Sequence, residues 1–152
     1  MASLIGAEQQ AFFVAHGVLA AYLFGSRAKG EARPHSDYDL AVLFAGYRPE
    51  EHNIALRLEM AEELAERLGE KVDLVFLQSA SIVMRFEIVS TGKVVYCAND
   101  DARTDFEDLV FRDYLDFKPF LDQYYREVAE AVRGGHFFAK QKAPSLLLRR
   151  GR

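Results

Sequence analysis

Leu23-Phe-Gly-Ser-Arg-Ala-Lys-Gly-Glu-Ala-Arg-Pro-His-Ser-Asp-Tyr-Asp-Leu-Ala-Val-Leu-Phe44 is the stretch that decides how this chain folds. It reads as a strand, a small-residue turn at Gly25-Ser26, a polar loop and a second strand. The second strand opens on Asp37 and Asp39, and strand residues two apart project on the same side. Two acids on one side, beside a turn that exposes backbone N–H groups, make a site for a metal ion with phosphate. A Gly-Ser turn alone is only a turn, and Asp-x-Asp alone is more often a solvated strand end. A third carboxylate shifts the balance. Asp is disfavoured in strands, yet Asp73 lies within the apolar run Lys71–Leu77. An acid inside such a strand needs a partner, which a metal ion supplies.

Working outward, residues 7–16 read as a helix ended by Gly17, and Val18–Phe24 as a strand apolar on both faces. The turn Gly25–Lys29 opens a short helix that Ser26 can cap, with Arg27 and Lys29 adding positive charge. Arg33-Pro34-His35 forms the loop to the strand at 37–44, with His35 in solvent. A turn at Ala45–Pro49 precedes a helix over Glu50–Leu68, with Ile54, Leu58, Ala61, Leu64, Ala65 and Leu68 on one stripe and Glu63 placed to pair with Arg67. The Asp73 strand follows. A helix near 80–90, capped by Ser79 or Ser81, turns Ile82, Phe86 and Val89 inward, and Lys93–Cys97 is the last strand. This order gives an α/β (α+β) fold, a small mixed sheet packed with helices.

Residues 99–104 read as a polar linker and Asp105–Val132 as a long helix. Its stripe is Phe106, Leu109, Val110, Tyr114, Phe117, Leu121, Tyr124, Val128 and Val132, and Pro119 should kink or divide it. Phe111, Phe120 and Tyr125 fall off the stripe, so this helix either packs on the domain or docks a partner with part of its aromatic surface. The domain organisation expected is a core at 1–98, a helical extension of the same domain at 99–135, and a basic, disordered tail at 136–152.

With 152 residues, half of them apolar, the chain can bury a real core as one domain. The most apolar N-terminal piece is too short to span a bilayer and lacks a basic flank, so no membrane anchor or signal peptide is expected. The single Cys97 excludes an internal disulfide and fits a reducing cytoplasm. Of the 19 Lys and Arg, six follow Glu130, and none of the 23 acids does, which leaves residues 1–130 with 13 basic residues and a net charge of −10. A body this acidic argues against a nucleic-acid groove and suits a basic protein partner.

Gly25-Ser26, ten intervening residues, then Asp37-x-Asp39 resembles the nucleotidyltransferase superfamily of polymerase-β type. The extended form, Gly-Ser-Arg-Ala-Lys-Gly through Ser-Asp-Tyr-Asp-Leu, looks like its minimal nucleotidyltransferases, the antitoxins of HEPN toxin–antitoxin pairs. The resemblance covers about 23–77. It implies that Asp37 and Asp39 hold the triphosphate's Mg²⁺, and that Asp73 completes a second Mg²⁺ site and orients or deprotonates the attacking hydroxyl. Gly25 and Ser26 would hold the β- and γ-phosphates, with Arg27, Lys29 and Ser36 as further nucleotide contacts. It also implies that AMP passes from ATP to a tyrosine of a cognate HEPN ribonuclease, bound in a hetero-oligomer. Two alternatives are transfer to a small molecule of aminoglycoside type, and an antitoxin that acts by contact alone. The first would need an acceptor pocket, for which no second domain is evident; the second need not keep three costly acids.

Overall fold

A computed structural model describes residues 5–31 and 36–134. Its elements are α1 (Ala7–Ala15), β1 (Val18–Phe24), α2 (Gly25–Ala28), β2 (Tyr38–Phe44), α3 (Ile54–Leu68), β3 (Val72–Phe76), a 3₁₀ turn (Leu77–Ser79), α4 (Ile82–Thr91), β4 (Lys93–Cys97) and α5 (Asp100–Arg133). The chain divides into two units, Met1–Val110 and Phe111–Arg152.

In the first unit the strands form one mixed sheet in the order β3-β2-β1-β4. β1 runs antiparallel to both neighbours, with Tyr22 opposite Ala41 and Phe24 opposite Asp39. β2 and β3 are parallel, joined through the α3 crossover that parallel strands require. The two inner strands are apolar on both sides because both faces are covered. On one face Leu40, Val42 and Phe44 pack with Phe12 and Phe13 of α1, Met60 and Leu64 of α3, and Leu74 and Phe76 of β3. On the other, Ala20, Tyr22, Ala41 and Leu43 meet Leu77, Ile88 of α4 and Phe106 of α5. The alternation along β2 sorts its residues between these clusters.

Several local expectations need correction. α3 begins at Ile54, not Glu50, because the Asn53 side chain accepts the Leu56 N–H at 3.0 Å and caps it there. Its buried line runs through Met60 and Leu64, while Ile54 and Leu58 are 65% and 60% exposed. α4 is capped by Ser81, whose hydroxyl accepts the Met84 N–H at 3.1 Å, and it buries Ile88, whereas Ile82, Phe86 and Val89 are only half-buried. Of the linker expected at 99–104, all but Asn99 is already helix. Asn99 accepts the Ala102 N–H at 3.0 Å, and Asp100 and Asp101 occupy the first turn, where carboxylates are favoured. Pro119 lies within α5 and does not divide it. Glu63 and Arg67 pair at 3.0 Å as the spacing predicts.

The first residues of α5 are tied to the sheet. Tyr22, 1% exposed on β1, donates its hydroxyl to Glu107 at 2.7 Å, and Arg103 donates to the same carboxylate oxygen at 2.9 Å. Burial first, then the Glu107 carboxylate, pushes the Tyr22 phenol well above its ordinary value, so it stays a donor. Tyr22→Phe removes that donor while Arg103 still satisfies Glu107. We expect a loss of about 1–2 kcal/mol in urea denaturation; an unchanged midpoint would show that the contact does not hold α5 in place.

In the second unit α5 continues to Arg133. Lys118 and Asp122 pair at 2.8 Å, and Phe111, Leu115, Phe120, Tyr125 and Val132 are exposed. The tail 136–152 and the loop residues Arg33, Pro34 and His35 lie outside the described residues.

Candidate active site

The site grows from three backbone features. β1 ends at Phe24, directly opposite Asp39 on β2. The next residue, Gly25, has φ +72°, a conformation that side chains disfavour. A Cβ there would collide with the Asp39 carboxylate, its Cγ lying 3.0 Å away. The turn can therefore press its backbone against the acid only as glycine. On the other flank, the Tyr38 N–H donates to the Lys71 carbonyl at 2.9 Å and starts the parallel ladder. That register sets Asp39 beside Asp73. Residues in register across neighbouring strands share a face, and Asp37, just before β2, is near enough for its charge to act on Asp39.

Charge links the three acids. Burial, then the charge of Asp73, then that of Asp37, raises the Asp39 carboxyl above its ordinary value of 3.8. Asp39 is half-buried, whereas Asp37 and Asp73 are exposed. The idea that Asp73 lies inside an apolar environment is therefore corrected. β3 is an edge strand, so the acid reaches solvent. Its relevance rests on its pairing with Asp39, not on burial. Carboxylate oxygens are the ligand type that suits a hard divalent cation, and Asp39 and Asp73 lie in register on neighbouring strands. Among the described residues no three His, Cys, Asp or Glu side chains are placed together so as to hold a metal ion, so the three acids would have to draw closer around one.

Other expected contacts fall in different places. Ser26 lies in α2 but does not cap it; the N-cap position is Phe24, with no side-chain bond. Lys29 is exposed just past α2. Arg27 turns to the start of β2. Its Nε and Nη2 both donate to the Ser36 carbonyl, at 3.0 and 2.6 Å, and its guanidinium lies 3.9 Å from the centre of the Tyr38 ring. Tyr38 was missed as a site residue, although its place between the two Asp residues was a signal for it. Arg27 and Tyr38 together fix the backbone on either side of Asp37.

Comparisons with known proteins bear on the family and the fold. The chain is 44% identical over 80 residues to the protein adenylyltransferase MntA of Shewanella oneidensis, a match over 53% of this chain and 55% of MntA. It thus spans about half the length of that curated relative. A chain of a toxin–antitoxin complex crystallised with AMP-PNP superposes with a TM-score of 0.63 at 27% identity, covering 84% of this chain and 99% of that one. The complex of a tri-AMPylated Shewanella oneidensis HEPN toxin with its MNT antitoxin gives 0.55 at 27% identity, over 77% and 84%. Residues 9–101, well over half of the chain and the whole of the site, match the polymerase beta nucleotidyltransferase family, and the chain belongs to it.

Proposed function

We propose that this protein is an antitoxin that transfers AMP from ATP to a tyrosine of a cognate HEPN ribonuclease, in the presence of Mg²⁺. The observation that carries this reading is the register that sets Asp39 beside Asp73 with Gly25 against Asp39. The likeness to MntA and to a chain of a tri-AMPylated toxin complex supports the protein acceptor. The chain would act in the cytoplasm, as a hetero-oligomer with its toxin.

In this reading Asp37, Asp39 and Asp73 would hold Mg²⁺, which would supply positive charge to offset the triphosphate. Gly25 lets backbone approach the β- and γ-phosphates, and Ser26 adds a hydroxyl donor. Lys29 supplies positive charge at long reach. Asp73, at the open edge, orients the acceptor hydroxyl and takes its proton. The tyrosine oxygen bonds to the α-phosphorus, the bond from that phosphorus to the β-phosphate bridge breaks, and pyrophosphate leaves with its electron pair.

Arg27 acts mainly through Ser36. Arg27→Lys keeps the charge and loses the forked contact and the ring stacking. A misplaced Asp37 should lower kcat by about 10- to 100-fold, with KM for ATP nearly unchanged. A rise in KM alone would make Arg27 a phosphate ligand instead.

The function is tested with ATP labelled at either the α- or the γ-phosphate, Mg²⁺, and the product of a neighbouring HEPN reading frame. Label should reach the toxin from the α-phosphate only, and a toxin whose acceptor tyrosine is replaced by Phe should stay unlabelled. A toxin that binds the chain but takes no label would make this an antitoxin by contact.

A further inference from the structure

Independently of the transferase reading, α5 beyond Val110 carries large apolar residues in solvent. Phe111, Leu115, Lys118, Asp122, Tyr125, Ala129 and Val132 are spaced four, three, four, three, four, three. That is the heptad seam of a coiled coil, which keeps one line of side chains facing a partner helix. At Leu115 and Tyr125 the line is 65 and 58% exposed. Pro119 lies beside the seam and not on it, so the interruption falls outside the contact line. Large exposed apolar residues in one line mark an interaction surface.

The charges say which partner fits. The seam has two charged positions, Lys118 and Asp122, at its middle. Set two copies antiparallel about position 120, and Lys118 of each faces Asp122 of the other. The same operation places Leu115 across from Tyr125 and Phe111 across from Ala129, a large residue against a small one at the ends. In a parallel pair Lys118 would face Lys118 and Asp122 would face Asp122, which like-charge repulsion disfavours. One two-fold axis thus pairs the two charged positions and the apolar positions from Phe111 to Ala129, as a self-complementary interface requires, and leaves Val132 outside the contact. Polar residues at a core position of a coiled coil typically fix register and orientation. We propose that residues 111–129 form an antiparallel homodimer contact through this seam.

In the folded chain Lys118 and Asp122 already pair with each other, so the test must separate that pairing from contact between chains. The full-length protein at high micromolar concentration should sediment as a dimer. Lys118→Asp places acids opposite acids in its own dimer, and Asp122→Lys places lysines opposite lysines. Each variant alone should dissociate, with the constant weakened by about 10-fold or more. An equimolar mixture should recover the dimer, because the acid at position 118 of one chain then faces the lysine at position 122 of the other, although neither chain regains its internal pair. Leu115→Glu should be monomeric with unchanged helical circular dichroism. A monomeric wild type, single variants that stay dimeric, or a mixture that fails to recover would each overturn the proposal. Loss of toxin binding by Leu115→Glu, in a protein monomeric on its own, would overturn it as well and assign the seam to the toxin.

Discussion

Asp39→Asn should remove nucleotidyl transfer while leaving the fold as stable as before, or more so. The carboxylate sits where burial and two neighbouring acids oppose its ionisation. Its folded-state value lies above 3.8, so the folded protein holds that proton more tightly than the unfolded chain does. Stability therefore falls as pH rises from the unfolded value through the raised folded one, and the penalty is fully present above the folded value. Asn abolishes the penalty. Denaturation curves of the wild type should shift to lower midpoints as pH rises through that window, and those of the variant should shift less. Mg²⁺ should raise the wild-type midpoint and leave that of the variant nearly unchanged. Transfer to the acceptor should drop by about 10²–10³-fold or more, the scale seen when one preorganised charge-stabilising group is lost. Wild-type transfer in a folded Asp39→Asn protein would remove this acid from the chemistry. A stability that falls steeply on substitution would make it a structural residue.

Gly25→Ala carries the second large effect, and Gly30 supplies the control. Both glycines have positive φ, +72° and +73°. An alanine at Gly30 meets nothing within 4 Å and should cost only the backbone strain, about 1–2 kcal/mol. An alanine at Gly25 bears the same strain and also strikes the Asp39 carboxylate. Either the turn withdraws or the acid rotates away, and both outcomes separate the backbone of the turn from the carboxylates. Gly25→Ala should thus lose transfer by about 10²-fold or more, whereas Gly30→Ala should lose little beyond its share of stability. Equal activity losses in the two variants would mean that backbone strain, and not the contact with Asp39, is what glycine relieves at position 25.

Much of this could be read from the chain because local signals and the fold agreed. The apolar run of β1, the Gly25 turn and the alternation of β2 each pointed one way, and the element order followed. Where two signals competed, the reading failed. Asn53 and Asn99 are short polar residues that serve turns and helix caps alike. Both head helices, and the first was read inside its helix and the second as part of a linker. α3 has apolar residues on more than one side, so periodicity alone chose a stripe containing Ile54 and Leu58 over the line through Met60. Asp73 was singled out through a burial argument that the edge position of β3 overturns. The register that gives it meaning depends on a parallel pairing, which local sequence does not encode. Arg27 shows the same limit: its charge was evident, but its grip on Ser36 depends on the return of the chain after the intervening loop.

That parallel pairing also orders the birth of the site in time. β1 and β2 are neighbours in sequence as well as in the sheet, so Gly25 and Asp39 can meet as soon as two adjacent segments close on each other. Asp73 arrives only when α3 has formed and carried β3 back along β2, a non-local closure of the kind that slows folding. A chain paused between these events would possess the glycine turn and two of its acids, yet lack the third. Competence would then be the last property the nascent protein acquires, and the first surrendered when the edge strand peels away.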